Sequence, residues 1–429
     1  TRRSSDLWQI YFGKKKLRLV EYSKDEHYLL SQNMYFVIFT VCTAPIFLGS
    51  LSLLKYGLWF AAMLALLFVG KVRIKFEFMT VMYSIFFLWL CYAMTYTTVP
   101  RDGAMMLIKF SLPMLFLWLG YSGLRNEKDL IVFLRVVNIA ACIYCGLVGG
   151  FTATIVSPLY YFFGGICSTY AGFADFLTSI FIVPILLFWL TKEQKYIYCA
   201  LWMVLSTVLE SVRTGMGGMM LVFVVALLLK NKVKAIPGLA VAGAMFLSVV
   251  LFVPSVNEKF FGEDAGTISA TDIVQGDAMS MDNMDDNGRK AIWELILDRF
   301  YRGHEATGSG LGMAVRFLKE RWMSGEGAAM MHNDYVQLLA ETGYIGVTLL
   351  GVFYLAVIIK VAINTAFRRS TTLVKLTGIM ALSSLAGIGF SMYFDNVVSN
   401  SMQSMVMPFI YIGFFLKALD LEKRNVVAG

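Results

Sequence analysis

LTGIMALSSLAGIGFSMYF (376–394) is an uncharged run of nineteen residues between Lys375 and Asp395. As a helix it covers about 28 Å, close to the hydrocarbon thickness of a bilayer. Working outward in both directions, the sequence repeats this character. Twelve spans are expected, at about 32–54, 56–70, 78–98, 104–120, 130–151, 171–190, 196–210, 214–230, 235–254, 343–360, 376–394 and 397–416. Across the 429 residues, 58% are hydrophobic and 15% charged, with mean hydropathy +0.66. Soluble domains run nearer 45–50% and about 25%. The chain therefore reads as an all-α polytopic membrane protein, and a cytosolic enzyme, a disordered scaffold and a secreted disulfide module are excluded.

The net charge of +8 would raise the question of nucleic acid in a soluble protein. Here it has a topological cause. Arg2, Arg3, Lys14, Lys15, Lys16, Arg18 and Lys24 precede the first span. Alternate loops then carry Lys71, Arg73 and Lys75; Arg125 and Lys128; Lys192 and Lys195; Lys230, Lys232 and Lys234; Lys360, Arg368, Arg369 and Lys375. Lys417, Lys423 and Arg424 follow the last span, while the short loops of the other side hold only Lys55, Arg101 and Arg213. The positive-inside rule places both termini in the cytoplasm. The first 30 residues lack the short apolar core and small-residue cleavage site of a secretory leader. Of the six cysteines, Cys142 and Cys145 form a CxxC inside an apolar helix and read as buried thiols. No disulfide framework is expected.

The predicted organisation is a basic cytoplasmic N-terminus (1–31), nine spans (32–254), a long external loop (255–331), a helix start with three spans (332–416) and a cytoplasmic C-terminus (417–429). The loop holds 13 of the 29 acidic residues and His304, and His332 follows directly after it. Residues 289–301 and 311–322 have helix-period apolar positions with basic residues between, as in amphipathic surface helices. GHEATGSGLG (303–312) reads as a turn between them.

Three side chains on the external side could do chemistry. Arg213 lies in LESVRTGMGG (209–218), where small neighbours would let an anion approach the backbone. Arg289 opens an amphipathic helix after the Asn287-Gly288 turn signal, and its guanidinium can take a phosphate with two prongs. His332 precedes Asp334 and Gln337, which have capping-box spacing, so a helix starts near Asn333 or Asp334 and Gly343 breaks it. A neutral imidazole there can accept a proton from a hydroxyl. Each has a plainer reading as well: Arg213 as a snorkelling arginine or a partner of Glu210, Arg289 as an exposed charge beside Asp285 and Asp286, His332 as a cap or a packing residue. Arg316, Lys319 and Arg321 give the second amphipathic helix a basic face, for anionic lipid or for the donor. His27 and His304 have no metal-ligand spacing, and Asp282, Asp285 and Asp286 make a poor cation site in a small, acidic stretch. Lys109, Arg135, Asp175 and Asp395 are charges within or at the end of spans, able to line a cavity or neutralise one another.

Together these motifs resemble the O-antigen ligase and O-antigen/exopolysaccharide polymerase superfamily. The resemblance rests on Arg213 in a small-residue turn, on Asn287-Gly288-Arg289 with Trp293, and on His332-Asn333-Asp334-Tyr335 through Glu341 and Gly343, with GSGLG (308–312) before them. It implies a GT-C type membrane glycosyltransferase of the bacterial inner membrane, with a periplasmic active site. The implied donor is a glycan on undecaprenyl diphosphate, and the acceptor a lipid-linked repeat unit or the lipid A core. Arg213 and Arg289 would hold the diphosphate, His332 would orient or deprotonate the acceptor hydroxyl, and Asn333, Arg316, Lys319 and Arg321 would assist binding. No cofactor, metal or nucleic acid is implied; a chain-length regulator is a conceivable partner. The loop motifs lean towards a polymerase; a ligase, and more remotely a lipid-linked sugar flippase, are the alternatives.

Overall fold

A computed structural model describes residues 29–45, 52–152, 170–209, 211–261, 289–325, 330–400 and 402–428. The expectations for the basic N-terminus, His27, Cys167, Glu210, the acidic stretch 262–288 and Asn287-Gly288 lie outside them. The described residues are helical, with no strand among them. In chain order the helices are α1 Gln32–Thr43, α2 Ser52–Phe68, α3 Phe78–Ala93, α4 Pro100–Gly123, α5 Glu127–Thr152, α6 Tyr170–Ile180, α7 Ile182–Thr191, α8 Lys195–Leu209, α9 Arg213–Asn231, α10 Ile236–Phe252, α11 Pro254–Phe261, α12 Arg289–Phe300, α13 Met313–Met323, α14 Asp334–Ala362, α15 Thr372–Phe394, α16 Val397–Asn400 and α17 Met402–Ala428.

Among the described residues, seven stretches are long and apolar enough to cross a membrane, and four shorter apolar helices accompany them. This is a multi-pass membrane protein. Several boundaries differ from the sequence reading. The apolar run 32–54 is not one helix: α1 stops at Thr43, just before Pro45, which has no N–H with which to continue the hydrogen-bond ladder. α2 begins at Ser52, inside that run. The last long helix begins at Met402 rather than 397, after the four-residue α16. It continues to Ala428, through the stretch read as a C-terminal tail.

The centre of the bundle is α6–α7, α15 and α17, with 89%, 78% and 83% of their apolar windows buried, against 33% for α14. α17 crosses α4 at two glycines. A Cβ on Gly413 would stand 2.1 Å from the Leu117 carbonyl oxygen, and one on Gly120 2.4 Å from that of Ile410. Small residues at such a crossing let backbones meet where no hydrophobic force joins helices in lipid.

The charges sort to the two ends. At one end Lys75 meets Asp420 at 2.8 Å, Lys360 meets Glu77 at 2.6 Å and Arg125 meets Asp129 at 3.1 Å. The other end gathers the turn 303–312, the start of α14 and the end of α15. There α14 breaks at Gly343 (φ 66°, ψ −175°), a conformation open essentially to glycine alone. The turn fills the break: Tyr344 N donates to Glu305 O at 2.8 Å, Gly310 N to Glu341 O at 3.1 Å and Ser309 N to Ala340 O at 3.0 Å. A Cβ on Gly343 would lie 2.3 Å from Ala306 backbone atoms. Gly343→Ala is expected to destabilise the protein by at least about 1–3 kcal/mol from backbone strain. Thermal melts in detergent check this; an unchanged midpoint would show that the break tolerates a side chain.

Candidate active site

α15 organises the site through its last turn, Phe390–Phe394, and the residue that ends it, Asp395, which is extended. Arg289 is the first residue of α12. Its guanidinium donates to the Phe394 carbonyl at 2.7 Å, a natural partner because the last carbonyls of a helix lack intrahelical donors. Four residues on, Trp293 Nε1 donates to Met331 O at 2.8 Å and its ring meets Tyr393 edge-on at 5.9 Å. One face of α12 thus grips both the residue before His332 and the end of α15.

His332 Nδ1 lies 3.1 Å from Asp395 Oδ1. Asp395 Oδ1 also accepts from Asn396 N at 2.7 Å. A neutral imidazole that donates from Nδ1 carries its lone pair on Nε2. The His332 backbone sits at φ 53°, left-handed for a non-glycine residue. That conformation turns the chain into α14 immediately afterwards. Asn333 Oδ1 caps the helix, accepting from Tyr335 N and Val336 N at 3.0 Å each. The helix begins where the sequence placed it, but the cap is Asn333 and not an Asp334–Gln337 box. Asp334 is buried and instead accepts from Val398 N at 3.0 Å, which ties the start of α14 to α16. Asn333 Nδ2 is buried without a partner among the described residues.

Arg213 is the first residue of α9, behind Ser211 at φ 51°. α9 runs antiparallel to α15. A Cβ on Gly217 would stand 2.6 Å from the Phe390 ring, and one on Gly387 3.1 Å from Gly218 O. One turn back along α9 brings Arg213 level with Phe394. The glycines after it have a different task from the one the sequence suggested. Cβ atoms at Gly215 and Gly218 would meet Ala174 and Thr178 at 2.7 Å each, so these positions seat α9 against α6 and α15 rather than opening backbone to an anion.

The arrangement therefore joins Arg289 and His332 through two consecutive residues, 394 and 395, and sets Arg213 at the same level. α9, α12 and α14 all begin here. Helix N-termini carry positive partial charge and unsatisfied N–H groups, which favour an anion nearby. Arg316, Lys319 and Arg321 lie elsewhere, on α13, which packs on α4, α12 and α14. Lys319 pairs with Asp102 at 3.1 Å, Arg316 with Glu320 at 2.6 Å, and Arg321 lies 5.8 Å from the Phe317 ring centre. Among the described residues no group of three or more His, Cys, Asp or Glu could hold a metal; Asp282, Asp285 and Asp286 lie outside them.

Asp395 is the residue that sequence reasoning left out of the site. It was visible only as a charge at a span end, and no spacing connects it with a histidine 63 positions earlier.

A groove of about 1010 Å³ lies between α7, α8, α9 and α10, and on α9 its lining starts at Met216, three residues after Arg213. Val208, Met216, Phe223, Leu227 and Phe246 line it, together with Asn231 and Lys234. The sixteen residues from Met216 to Asn231 span about 22 Å of helix.

Residues 198–351 match a family model described as O-antigen ligase, a segment that contains Arg213, Arg289 and His332. No curated protein matches the chain.

Proposed function

We propose that this chain, in which residues 198–351 match a family model described as O-antigen ligase, is a membrane glycosyltransferase of the ligase/polymerase type and catalyses a specific reaction. A glycan passes from undecaprenyl diphosphate to a sugar hydroxyl of an acceptor on the periplasmic side of the bacterial inner membrane. The observation that carries this reading is the joint anchoring of Arg289 on Phe394 and His332 on Asp395. Cation and base stand on adjacent residues, as a transfer from a diphosphate leaving group to a hydroxyl requires.

In this reading Arg213 and Arg289 hold the diphosphate and offset the charge that grows on it as the glycosidic bond breaks. His332 takes the acceptor proton on Nε2, and Asp395 orients the ring and stabilises the imidazolium that forms. The acceptor oxygen bonds to the anomeric carbon, and the lipid diphosphate leaves. Asn333 Nδ2 offers a donor to acceptor or donor sugar. The basic face of α13 lies to one side, where it contacts the glycan or lipid headgroups. The start of α1 and the end of α17 face the cytoplasm, at the end where Lys75, Lys360 and Arg125 are paired.

The acceptor is another lipid-linked repeat unit, which makes the protein a polysaccharide polymerase. The family model's description favours the second reading, transfer to lipid A core. A deletion strain decides between them. A polymerase leaves single-repeat glycans when lost; a ligase leaves bare core and accumulated lipid-linked polymer. Product formation by purified protein in detergent excludes a flippase.

The two arginines supply the positive charge that a divalent ion provides elsewhere. Transfer is expected to persist in EDTA, and a loss restored by a divalent metal would count against the arginine mechanism. The groove below Arg213 suits the isoprenoid tail. Filling it by Ala200→Trp with Ala242→Trp is expected to lower kcat/KM for the full-length donor by about tenfold, or 1.4 kcal/mol. A short-chain analogue with the same headgroup should be spared, and equal losses for both would place the tail elsewhere.

A further inference from the structure

A second cavity, of about 710 Å³, lies between α5 and α8. Arg135, Asn138, Ile139 and Ile143 line it from one face of α5, and Lys195 and Cys199 from α8. It belongs to the end of the bundle that carries the paired lysines, since Lys195 opens α8 and Arg135 lies eight residues into α5, about 12 Å along that helix. Ile139 and Ile143 are 59% and 56% exposed, so the cleft opens sideways, towards lipid.

Three features of its lining call for a ligand. Arg135 is an exposed guanidinium beside the exposed Ile139, a costly placement in a bilayer unless an anion meets it. Lys195 is a second exposed cation close enough for the two like charges to repel. Glu193 pairs with Lys195, which leaves the three groups with one net positive charge. Deeper in, Asn138 is 5% exposed. Its Nδ2 donates to Cys199 Sγ at 3.4 Å, and its Oδ1 has no partner among the described residues. A buried acceptor without a donor costs stability comparable to a lost hydrogen bond.

We propose that this cleft binds an anionic glycerophospholipid with a single phosphate and a hydroxylated headgroup, of the phosphatidylglycerol type. The phosphate lies between Arg135 and Lys195, balancing their net charge. A headgroup hydroxyl donates to Asn138 Oδ1. The acyl chains run along Ile139 and Ile143 into the bilayer. The inference is independent of the reaction assigned to the α15 end, because no residue is shared.

Full-length protein reconstituted in phosphatidylcholine nanodiscs, titrated with fluorescent phosphatidylglycerol, tests it. The wild type is expected to hold phosphatidylglycerol at least about tenfold more tightly than phosphatidylcholine. The double variant Arg135→Gln/Lys195→Gln should lose that preference with an unchanged melting temperature, as both side chains are exposed. Asn138→Leu should keep affinity for phosphatidic acid, which lacks the hydroxyl, while losing its discrimination in favour of phosphatidylglycerol; if that variant does not fold, the double variant carries the test. Equal affinity of the wild type for the two lipids overturns the proposal, and so does full retention by the double variant. Displacement by inorganic phosphate alone would assign the cleft to a soluble anion instead.

Discussion

Glycan transfer is expected to fall by about 10²- to 10⁴-fold when His332 is replaced by alanine, the range that a positioned general base supplies. Donor binding should survive, because the cations that hold the diphosphate come from α9 and α12. The loss should therefore appear in kcat, with little change in donor KM. A trivial explanation has to be separated. His332 occupies a left-handed backbone position at φ 53°, and alanine there carries strain of its own. His332→Gly removes the imidazole and relieves that strain together, so it should fold at least as well as the wild type and be equally inactive. Asp395→Asn keeps a hydrogen-bonding partner for the ring but removes the charge that stabilises imidazolium. It should reduce kcat by less than the loss of His332 itself, again with donor KM held. If His332→Gly turns over normally, the imidazole is a structural element and the proposed base lies elsewhere.

The sequence made the membrane class plain, because a run such as 376–394 has no other way to hide its apolar surface. It also located the start of α14 and the break at Gly343, which follow from local rules of capping and backbone conformation. Other features depend on contacts that no local rule contains. The apolar stretch 32–54 reads as continuous because Phe and Leu are as common near a helix end as in its middle; Pro45 was the one residue that marked the stop. The glycines around Arg213 were legible as small, but not as seats for Phe390 and Thr178, since packing partners on other helices leave no trace in spacing. The same reason hid Asp395. Its carboxylate and the His332 ring are brought together by the return of α15 to the bundle end, a tertiary event. The GSGLG segment has a physical origin of this kind: Gly308, Gly310 and Gly312 all have positive φ, and Cβ atoms there would stand 2.4, 2.8 and 2.4 Å from the backbones of residues 341, 97 and 103. That motif builds the support beneath the site and does not touch the chemistry.

Removing either arginine is expected to cost about 10²- to 10³-fold in kcat/KM, the loss typical when one preorganised donor to a developing anion is deleted. The two should differ in a way the geometry dictates. Arg289 has a structural duty as well, donating to the Phe394 carbonyl at 2.7 Å and thereby holding the residue next to Asp395. Arg289→Ala should therefore disturb His332 alignment and lower kcat along with donor affinity. Arg213 stands on a different helix, so Arg213→Ala should act mainly on the donor. Lysine is a poor substitute at both positions, because one ammonium cannot span two phosphate oxygens in a plane or bond a carbonyl and a phosphate at once. At Arg289 the contrast is sharpest: Arg289→Lys must choose between Phe394 and the diphosphate, and should recover less activity than Arg213→Lys. The double variant Arg213→Ala/Arg289→Ala supplies the deciding comparison. Two cations on one diphosphate act as a unit, so their losses should be less than additive. Strict additivity in kcat/KM would mean that the two guanidinium groups serve separate ligands, and that they do not clasp a common leaving group.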